Sequence, residues 1–223
     1  MTRPASRLAI AVLASGRGSN LQALINAVAA GTLDARIVGV FSDKPGAIAL
    51  ERAQDAGIPT TVLLPATYAT RAAFDAQLFE AIDPCTPDVI LCAGYMRLIG
   101  KREVQGRRGR LLNIHPSLLP AFKGLRTHAQ ALAAGASEHG ASVHYVTPDL
   151  DGGPVIAQVR VPVLAQDDAD TLARRVLVRE HILLVETVRL LAAGRLALNG
   201  DVIRLDGAAI STPLQLTANN DFS

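Results

Sequence analysis

Short apolar runs alternate with helix-period segments through the first half of the chain, and this alternation constrains the fold more than any other feature. The runs are continuously apolar, which is typical of strands buried on both faces of a parallel sheet. The pattern predicts strands at 8–14, 37–41, 60–64, 88–93 and 111–115, and helices at 19–30, 47–56 and 71–82. Strands that alternate with helices indicate an α/β fold with a doubly wound, mostly parallel sheet, as in Rossmann-like proteins.

The second half of the chain departs from this alternation. A helix at 128–134 precedes two strands, 142–146 and 155–163, which we expect to form an antiparallel extension of the sheet. A long helix at 170–193 and a hairpin at 196–205 follow, the hairpin turning at an Asn-Gly pair. The tail from residue 211 onward has no periodicity, and we expect it to be frayed beyond about residue 210.

Composition narrows the class of protein. The chain has 223 residues, 49% apolar and 19% charged, without internal repeats or a linker, which predicts one domain over 1–223 with a core at about 7–206. A net charge of +2 argues against a nucleic-acid partner, and no apolar run approaches the roughly 18 residues of a membrane span. Cys85 and Cys92 fit neither a disulfide framework nor a zinc site, so we expect a reducing compartment and a cytoplasmic protein. We also expect no metal, and a monomer or a homodimer.

A glycine-rich turn, Ser-Gly-Arg-Gly-Ser-Asn at 15–20, joins the first strand to the first helix. Glycines allow close backbone approach to a ligand, and the free N–H groups at a helix start favour an anion. Leu21 stands where a dinucleotide fingerprint needs a third glycine, and the Gly-Lys-Ser/Thr of a P-loop is missing. The turn therefore predicts a small phosphate ligand, with simple helix capping by Ser19 or Asn20 as the alternative.

Two polar residues interrupt the apolar strand at 111–115. Asn113 and His115 lie two positions apart and so on one face, and Pro116 then ends strand pairing. Ligands of open α/β sheets bind at the carboxyl ends of strands. An amide and a protonated imidazole there could polarise a carbonyl and stabilise an oxyanion, although the pair could equally just close a strand.

An acidic turn separates the two strands of the antiparallel extension. Asp151 precedes Gly-Gly-Pro at 152–154 and on spacing alone reads as an ordinary turn aspartate. If this carboxylate lay beside His115, it would favour the protonated imidazole that the oxyanion role needs. The sequence alone leaves their meeting open.

Glu180 occupies an unusual place on the long helix. At about 100° per residue it falls on the apolar face, among Val176, Leu183, Leu184 and Thr187. A carboxylate there is costly unless it is paired or hydrogen-bonded. Glu180 should therefore have a partner, either within the fold or in a ligand.

Four blocks in order carry a family resemblance. They are Ser-Gly-Arg-Gly-Ser-Asn-Leu at 15–21, Ala-Gly-Tyr-Met-Arg at 93–97, Asn-Ile-His-Pro-Ser-Leu-Leu-Pro at 113–120, and Leu-Asp-Gly-Gly-Pro at 150–154. The chain resembles the phosphoribosylglycinamide formyltransferases, folate-dependent enzymes of purine synthesis, from about residue 7 to 206. The resemblance implies formyl transfer from 10-formyltetrahydrofolate, as co-substrate, to the glycyl amine of glycinamide ribonucleotide.

The resemblance also implies site residues. A catalytic group would consist of Asn113, His115 and Asp151. The ribonucleotide would contact Gly18, Ser19, Asn20 and Glu180. The folate would contact Arg71, Met96, Arg97, Leu98, Ile99, Asn113, Thr147, Pro148, Asp149, Leu150 and Asp151. Leu177 replaces a polar residue that touches the substrate in some relatives, so that contact is not carried over. Residues 121–126 form a loop that varies within the family, and we leave it out of the predicted site.

Three alternatives remain. A formyltetrahydrofolate deformylase would carry a similar Asn, His and Asp group. It would normally have an added amino-terminal domain as well, and we expect no room for one because the first strand begins by residue 7. A methionyl-tRNA formyltransferase would need a further carboxy-terminal domain. A non-catalytic nucleotide-binding module would explain the glycine turn. It would leave the presence of Asn113, His115, Asp151 and Glu180 without a common explanation.

Overall fold

The structure is a computed structural model that describes residues 7–223, so residues 1–6 of the predicted domain lie outside it. The strands are β1 Leu8–Leu13, β2 Ala35–Ser42, β3 Thr60–Val62, β4 Val89–Cys92, β5 Leu111–His115, β6 Glu138–Tyr145, β7 Val155–Pro162, β8 Leu196–Asn199, β9 Val202–Leu205, β10 Ala208–Ala209 and β11 Leu214–Gln215. The helices are α1 Ser19–Ala29, α2 Ile48–Asp55, α3 Arg71–Ile82, α4 Lys101–Gly106, α5 Thr127–Ala133 and α6 Ala169–Ala192.

Eight strands form one sheet in the order β11-β7-β6-β5-β4-β1-β2-β3. β1 to β5 pair in parallel, and β6 is antiparallel to both of its neighbours, β5 and β7. The predicted mostly parallel sheet with an antiparallel extension is confirmed. After β1 the chain winds outward to β3, then returns to the other side of β1 at β4. This reversal makes the carboxyl ends of β1 and β4 the switch point at which ligands of such sheets bind.

Alternate residues of β1 face two different hydrophobic layers. Ile10 and Val12 pack with residues of α1, α2 and α6 on one face, whereas Ala11 and Leu13 pack with α3 and α4 on the other. All four side chains are fully buried. The sheet is thus covered on both faces, which explains why its central strands read as continuous apolar runs.

The long helix α6 begins at a capping box. The side chain of Asp168 accepts a 2.7 Å hydrogen bond from the backbone N–H of Thr171, whose hydroxyl accepts from the N–H of Asp168. Within residues 7–223, no helix is both long enough and apolar enough to cross a membrane.

The prediction of a frayed tail beyond about residue 210 is wrong. β11 pairs in parallel with β7, and Leu214 and Leu216 are buried against the core. Arg179 of α6 fastens the tail further by donating a 2.6 Å hydrogen bond to the carbonyl of Thr217. The tail has too few residues for a periodic pattern, so only these tertiary contacts reveal its order. Sequence reasoning also missed the short helix α4 and β10, which extends the predicted hairpin into a three-stranded sheet.

Candidate active site

Several of the predicted site residues lie at one edge of the main sheet. β1, β2, β4 and β5 are parallel, so their carboxyl ends lie side by side. The glycine turn follows β1, residues 93–99 follow β4, and Asn113 and His115 end β5. β6 is antiparallel to β5 and ends opposite Leu112, at the amino end of β5. The turn that follows β6 nevertheless brings Asp151 back to the carboxyl end of β5, where Asp151 Oδ2 lies 3.6 Å from His115 Nδ1.

The glycine turn leads directly into α1 without a side-chain cap. Gly18 is the N-cap residue and adopts a left-handed conformation with φ of 68°. A Cβ at Gly18 would lie 2.6 Å from the Cα of Ala49, so α2 packs directly against the turn. Within the described chain the N–H groups of Ser19, Asn20 and Leu21 have no hydrogen-bond acceptor. The capping alternative is wrong, since Gly18 is the N-cap residue and neither Ser19 nor Asn20 caps the helix. The free N–H groups are available to donate to an anion.

Asn20 instead pairs with Glu180. Its amide Nδ2 donates a 2.6 Å hydrogen bond to Oε1 of Glu180, and the glutamate is only 7% exposed. Burial raises the pKa of Glu180 to about 6, against the opposing effect of the Asn20 hydrogen bond. The buried Oδ1 of Asn20 has no partner among residues 7–223. The expected partner of Glu180 is therefore present, and the pair still has an unused acceptor beside the glycine turn.

Asn113 is paired across the sheet with His144, a residue that the sequence reasoning did not select. The two residues lie opposite each other on β5 and β6, with 3.1 Å between Asn113 Nδ2 and His144 Nε2. His144 Nδ1 donates to the carbonyl of Tyr145 at 2.9 Å, which leaves Nε2 as an acceptor in the neutral ring. Burial also lowers the pKa of His144 and so favours that neutral form. His144 therefore orients Asn113 with its Nδ2 as the donor.

His115 and Asp151, whose meeting the sequence left open, face each other. Asp151 Oδ2 lies 3.6 Å from His115 Nδ1, and its Oδ1 lies 3.8 Å from His144 Nε2. Both side chains are buried, so the carboxylate sits between two imidazoles and close to the amide that one of them orients. The structure thus brings Asn113, His115 and Asp151 into one cluster.

The loop at 121–126, left out of the predicted site, closes over this cluster. His115 Nε2 lies 3.1 Å from the carbonyl oxygen of Phe122, an acceptor that requires the proton on Nε2. The backbone N–H of Gly124 donates to Asp151 Oδ2 at 2.9 Å. These loop residues contribute only backbone atoms, and a sequence carries no signal for such contacts.

Residues 96–99 form an irregular segment after β4. Met96 and Leu98 are more than half exposed, whereas Arg97 lies with its guanidinium carbon 5.0 Å from the ring centroid of Phe74 on α3. Arg71, at the start of α3, and Arg97 both interact electrostatically with Asp75, which also lies on α3. Both guanidinium groups are therefore near the Asp75 carboxyl. The segment thus combines exposed apolar side chains with two neighbouring cations.

The turn from 147 to 154 brings further predicted residues to this edge. Gly153 packs so closely that a Cβ there would lie 1.8 Å from the carbonyl oxygen of Tyr145, so only glycine fits. The tight return places Asp151 at the cluster, with Pro148, Asp149 and Leu150 exposed and the buried hydroxyl of Thr147 without a partner in the described chain. Within this turn, Asp151 is placed at the cluster by its contacts with His115 and His144.

A family model described as "Formyl transferase" matches residues 8–188, and the chain belongs to the formyl transferase family. Its parallel-dominant sheet with a cluster of asparagine, histidine and aspartate at the carboxyl edge agrees with that membership.

More specific relatives define the type of formyltransferase. The chain is 48% identical over 198 residues to phosphoribosylglycinamide formyltransferase of Escherichia coli K12, covering 89% of this chain and 93% of that protein. The solved structure of phosphoribosylglycinamide formyltransferase from Coxiella burnetii matches with a TM-score of 0.88 at 46% identity, over 92% of this chain and 96% of that one. Formyltetrahydrofolate deformylase from Burkholderia mallei matches at 31% identity and a TM-score of 0.80, over 90% of this chain but 70% of that one. The resemblance predicted from sequence is confirmed, and the chain is a formyltransferase, an enzyme of purine biosynthesis.

Proposed function

We propose that this chain transfers the formyl group of 10-formyltetrahydrofolate to the glycyl amine of glycinamide ribonucleotide, giving formylglycinamide ribonucleotide and tetrahydrofolate. One observation carries the proposal: Asn113, His115 and Asp151 converge on one cluster at the end of β5, next to residues 96–99 after β4 and on the same sheet edge as the glycine turn after β1. A formyl group and an amine held at this edge would meet at the cluster.

The glycine turn supplies the ribonucleotide site. The free N–H groups of Ser19 and Asn20, which follow Gly18, suit a phosphate at the start of α1. Glu180 and the unpaired Oδ1 of Asn20 are acceptors that suit the hydroxyl and N–H donors of the same substrate. Holding the ribonucleotide at these points places its amine at the cluster and removes much of the entropic barrier.

The folate site would lie beside the cluster, along residues 96–99. Met96 and Leu98 offer apolar surface to a flat heterocycle, and Ile99 continues the same segment. The guanidinium groups of Arg71 and Arg97 suit the carboxylates of a folate tail. The opposite wall would be formed by the turn residues Thr147, Pro148, Asp149, Leu150 and Asp151.

The cluster supports acyl transfer through an oxyanion. The amine nitrogen attacks the formyl carbon, and the carbonyl electron pair moves onto oxygen. Asn113 Nδ2 and protonated His115 donate hydrogen bonds that strengthen as this charge develops. In the described structure the carbonyl of Phe122 accepts from His115 Nε2, so the substrate oxygen would take the place of that carbonyl. His144 contributes by keeping Asn113 in the donor orientation.

Collapse of the intermediate breaks the bond between the formyl carbon and N10 of the folate. The attacking nitrogen must lose a proton and N10 must gain one. Asp151 stabilises the imidazolium of His115 and, directly or through a water, carries that proton between the two nitrogens. The reaction requires no metal in this scheme, because the formyl group is already activated and two hydrogen-bond donors stabilise the oxyanion.

The remaining expectations are part of the same proposal. The chain acts as a single formyltransferase domain in the cytoplasm, as a monomer or homodimer, on two small molecules and without a nucleic-acid partner. The small net charge of +2 supports the last point, since a nucleic-acid site requires a strongly basic face.

Formation of tetrahydrofolate from 10-formyltetrahydrofolate, with and without glycinamide ribonucleotide, tests the proposal. We expect product only when the ribonucleotide is present, together with formylated ribonucleotide in equal amount. Product in its absence would indicate the deformylase reaction, which the similarity to the Burkholderia enzyme keeps as the second candidate. No product under either condition would contradict both enzymatic functions.

A further inference from the structure

The segment at 96–99 does not hold its own shape. It has no regular secondary structure, and the backbone groups of Arg97, Leu98 and Ile99 form no hydrogen bonds within residues 7–223. The Met96 and Leu98 side chains are 62% and 55% exposed, whereas Ile99 packs on the core and Arg97 lies over the Phe74 ring. The backbone of the segment is therefore held by these two side chains and by hydrogen bonds at its two ends.

The first end is attached to Ser15. The backbone N–H of Met96 donates a 3.0 Å hydrogen bond to Ser15 Oγ, and the Ser15 hydroxyl donates its proton to Asp43 Oδ1 at 2.6 Å. Ser15 and Asp43 are both buried at the ends of β1 and β2. A hydroxyl has one proton, so its donation to Asp43 directs an oxygen lone pair toward Met96.

The second end is attached to Asp75 on α3. The backbone N–H of Gly100 donates a 2.8 Å hydrogen bond to Asp75 Oδ2. Asp75 is 1% exposed, and its Oδ1 has no partner within residues 7–223. Burial raises the pKa of this carboxyl, against the opposing effects of the Gly100 hydrogen bond and of the Arg71 and Arg97 guanidinium groups. Core packing alone would favour an apolar side chain at this position.

We propose that Ser15 and Asp75 are positioning residues that hold residues 96–99 in the shape that receives the folate, with Asp43 orienting Ser15. This inference rests on the proposed function, which assigns the segment to the folate site. Both residues act through backbone N–H groups at the ends of the segment, one at Met96 and one at Gly100.

The two attachments differ in what else they touch. Ser15 begins the glycine turn, and its hydroxyl links that turn both to Asp43 and to Met96. Loss of the hydroxyl should therefore disturb both substrate sites. Asp75 lies on α3, away from α1 and the glycine turn, and its loss should disturb only the folate site.

Two substitutions of Asp75 separate positioning from a structural role. Asp75→Leu removes the acceptor for Gly100, whereas Asp75→Asn keeps a side-chain oxygen of the same shape. We expect Asp75→Leu to raise the KM for 10-formyltetrahydrofolate about tenfold or more, and Asp75→Asn to change it less than about threefold. The KM for glycinamide ribonucleotide should stay within about twofold in both, whereas Ser15→Ala should raise both KM values.

Asp75→Ala provides a second route if Asp75→Leu fails to fold. It also removes the acceptor for the Gly100 N–H, and it adds no side-chain volume beside Gly100. Its folate KM should rise as in Asp75→Leu. Any of three results would overturn the proposal. The folate KM could stay within twofold of the wild-type value in the folded variants, or Asn and Leu at position 75 could have equal effects on it. The third is a rise in the ribonucleotide KM that parallels the rise in folate KM in the Asp75 variants.

Calorimetric titration of tetrahydrofolate into the wild-type chain and these variants gives a readout besides turnover, with a Kd that should follow the folate KM. A wild-type enzyme that transfers formyl normally, with variants unchanged in Kd and KM, would overturn only the positioning role. A wild-type chain that transfers no formyl group to the ribonucleotide would overturn the proposed function instead, whatever the variants do.

Discussion

Asn20 and Glu180 lie 160 positions apart in the chain and share a 2.6 Å hydrogen bond at the start of α1. The bond joins the first helix to the last long one and places a buried carboxylate beside the free N–H groups of the glycine turn. Its consequences can be measured for both binding and stability.

Glu180→Gln should weaken binding of glycinamide ribonucleotide selectively. Glutamine keeps an oxygen that can accept from Asn20 but loses the charge that strengthens hydrogen bonds from the substrate. We expect the KM for the ribonucleotide to rise about tenfold to a hundredfold and the folate KM to change little. Glu186→Gln is the matched control, since it makes the same change on the polar side of α6. Equal rises in both KM values would instead indicate a structural role.

The same substitution should change how stability depends on pH. Burial raises the pKa of Glu180 from its ordinary 4.5 to about 6, so the folded state binds this proton more tightly than the unfolded state. The resulting stabilisation is present below about pH 4.5 and is lost as pH rises through about 6. Relative to Glu180→Gln, the wild type should lose about 2 kcal/mol of unfolding free energy between pH 4.5 and pH 7.5. Urea unfolding at both pH values measures this, and a constant difference between the two proteins would contradict it.

Gly18→Ala should destabilise the fold and weaken ribonucleotide binding. The left-handed backbone at φ of 68° disfavours any Cβ, and this one would lie 2.6 Å from the Cα of Ala49. We expect a loss of at least about 2 kcal/mol in unfolding free energy. Gly16→Ala is the control, because a Cβ at Gly16 meets nothing within 4 Å, and its cost should stay below about 1 kcal/mol. Equal losses of unfolding free energy in the two variants would show that the packing of α2 against Gly18 does not contribute to stability.

Changes within the cluster should lower turnover without unfolding the chain. His115→Ala removes an oxyanion donor, and Asp151→Asn removes the charge that faces the imidazole at 3.6 Å. Each should reduce kcat by about two to four orders of magnitude. Asp221→Asn makes the same chemical change at an exposed position outside the cluster and should leave kcat unaltered. Near-normal turnover in both cluster variants would refute the catalytic assignment.

Much of the fold followed from the sequence because the central strands are short, apolar and bounded by turns. The bounds predicted for β5 and α3 agree residue by residue with the structure, and the apolar-face position of Glu180 correctly indicated a buried carboxylate with a partner. Helical periodicity gives the face of a residue, but it cannot name a partner 160 positions away.

The cluster was only partly predictable for a related reason. Motif spacing identified Asn113, His115 and Asp151, which all carry chemically active side chains. His144 escaped because its role depends on the cross-strand register of β5 with β6 and on a hydrogen bond to its neighbour's carbonyl. Ser15 and Asp75 escaped because they act on backbone N–H groups, and the sequence pattern does not show which N–H lacks a partner.

The tail strand has a consequence for how copies of the chain behave together. β7 would be the outer strand of the sheet, but Leu214 and Gln215 pair with its Ala157 and Gln158, and the N–H of Leu216 donates to the Gln158 carbonyl at 2.8 Å. An open strand edge invites strands from other molecules to add to it. A chain shortened to residue 210 would expose that edge together with the apolar patch that Leu214 and Leu216 cover, and we expect it to aggregate more readily than the full chain.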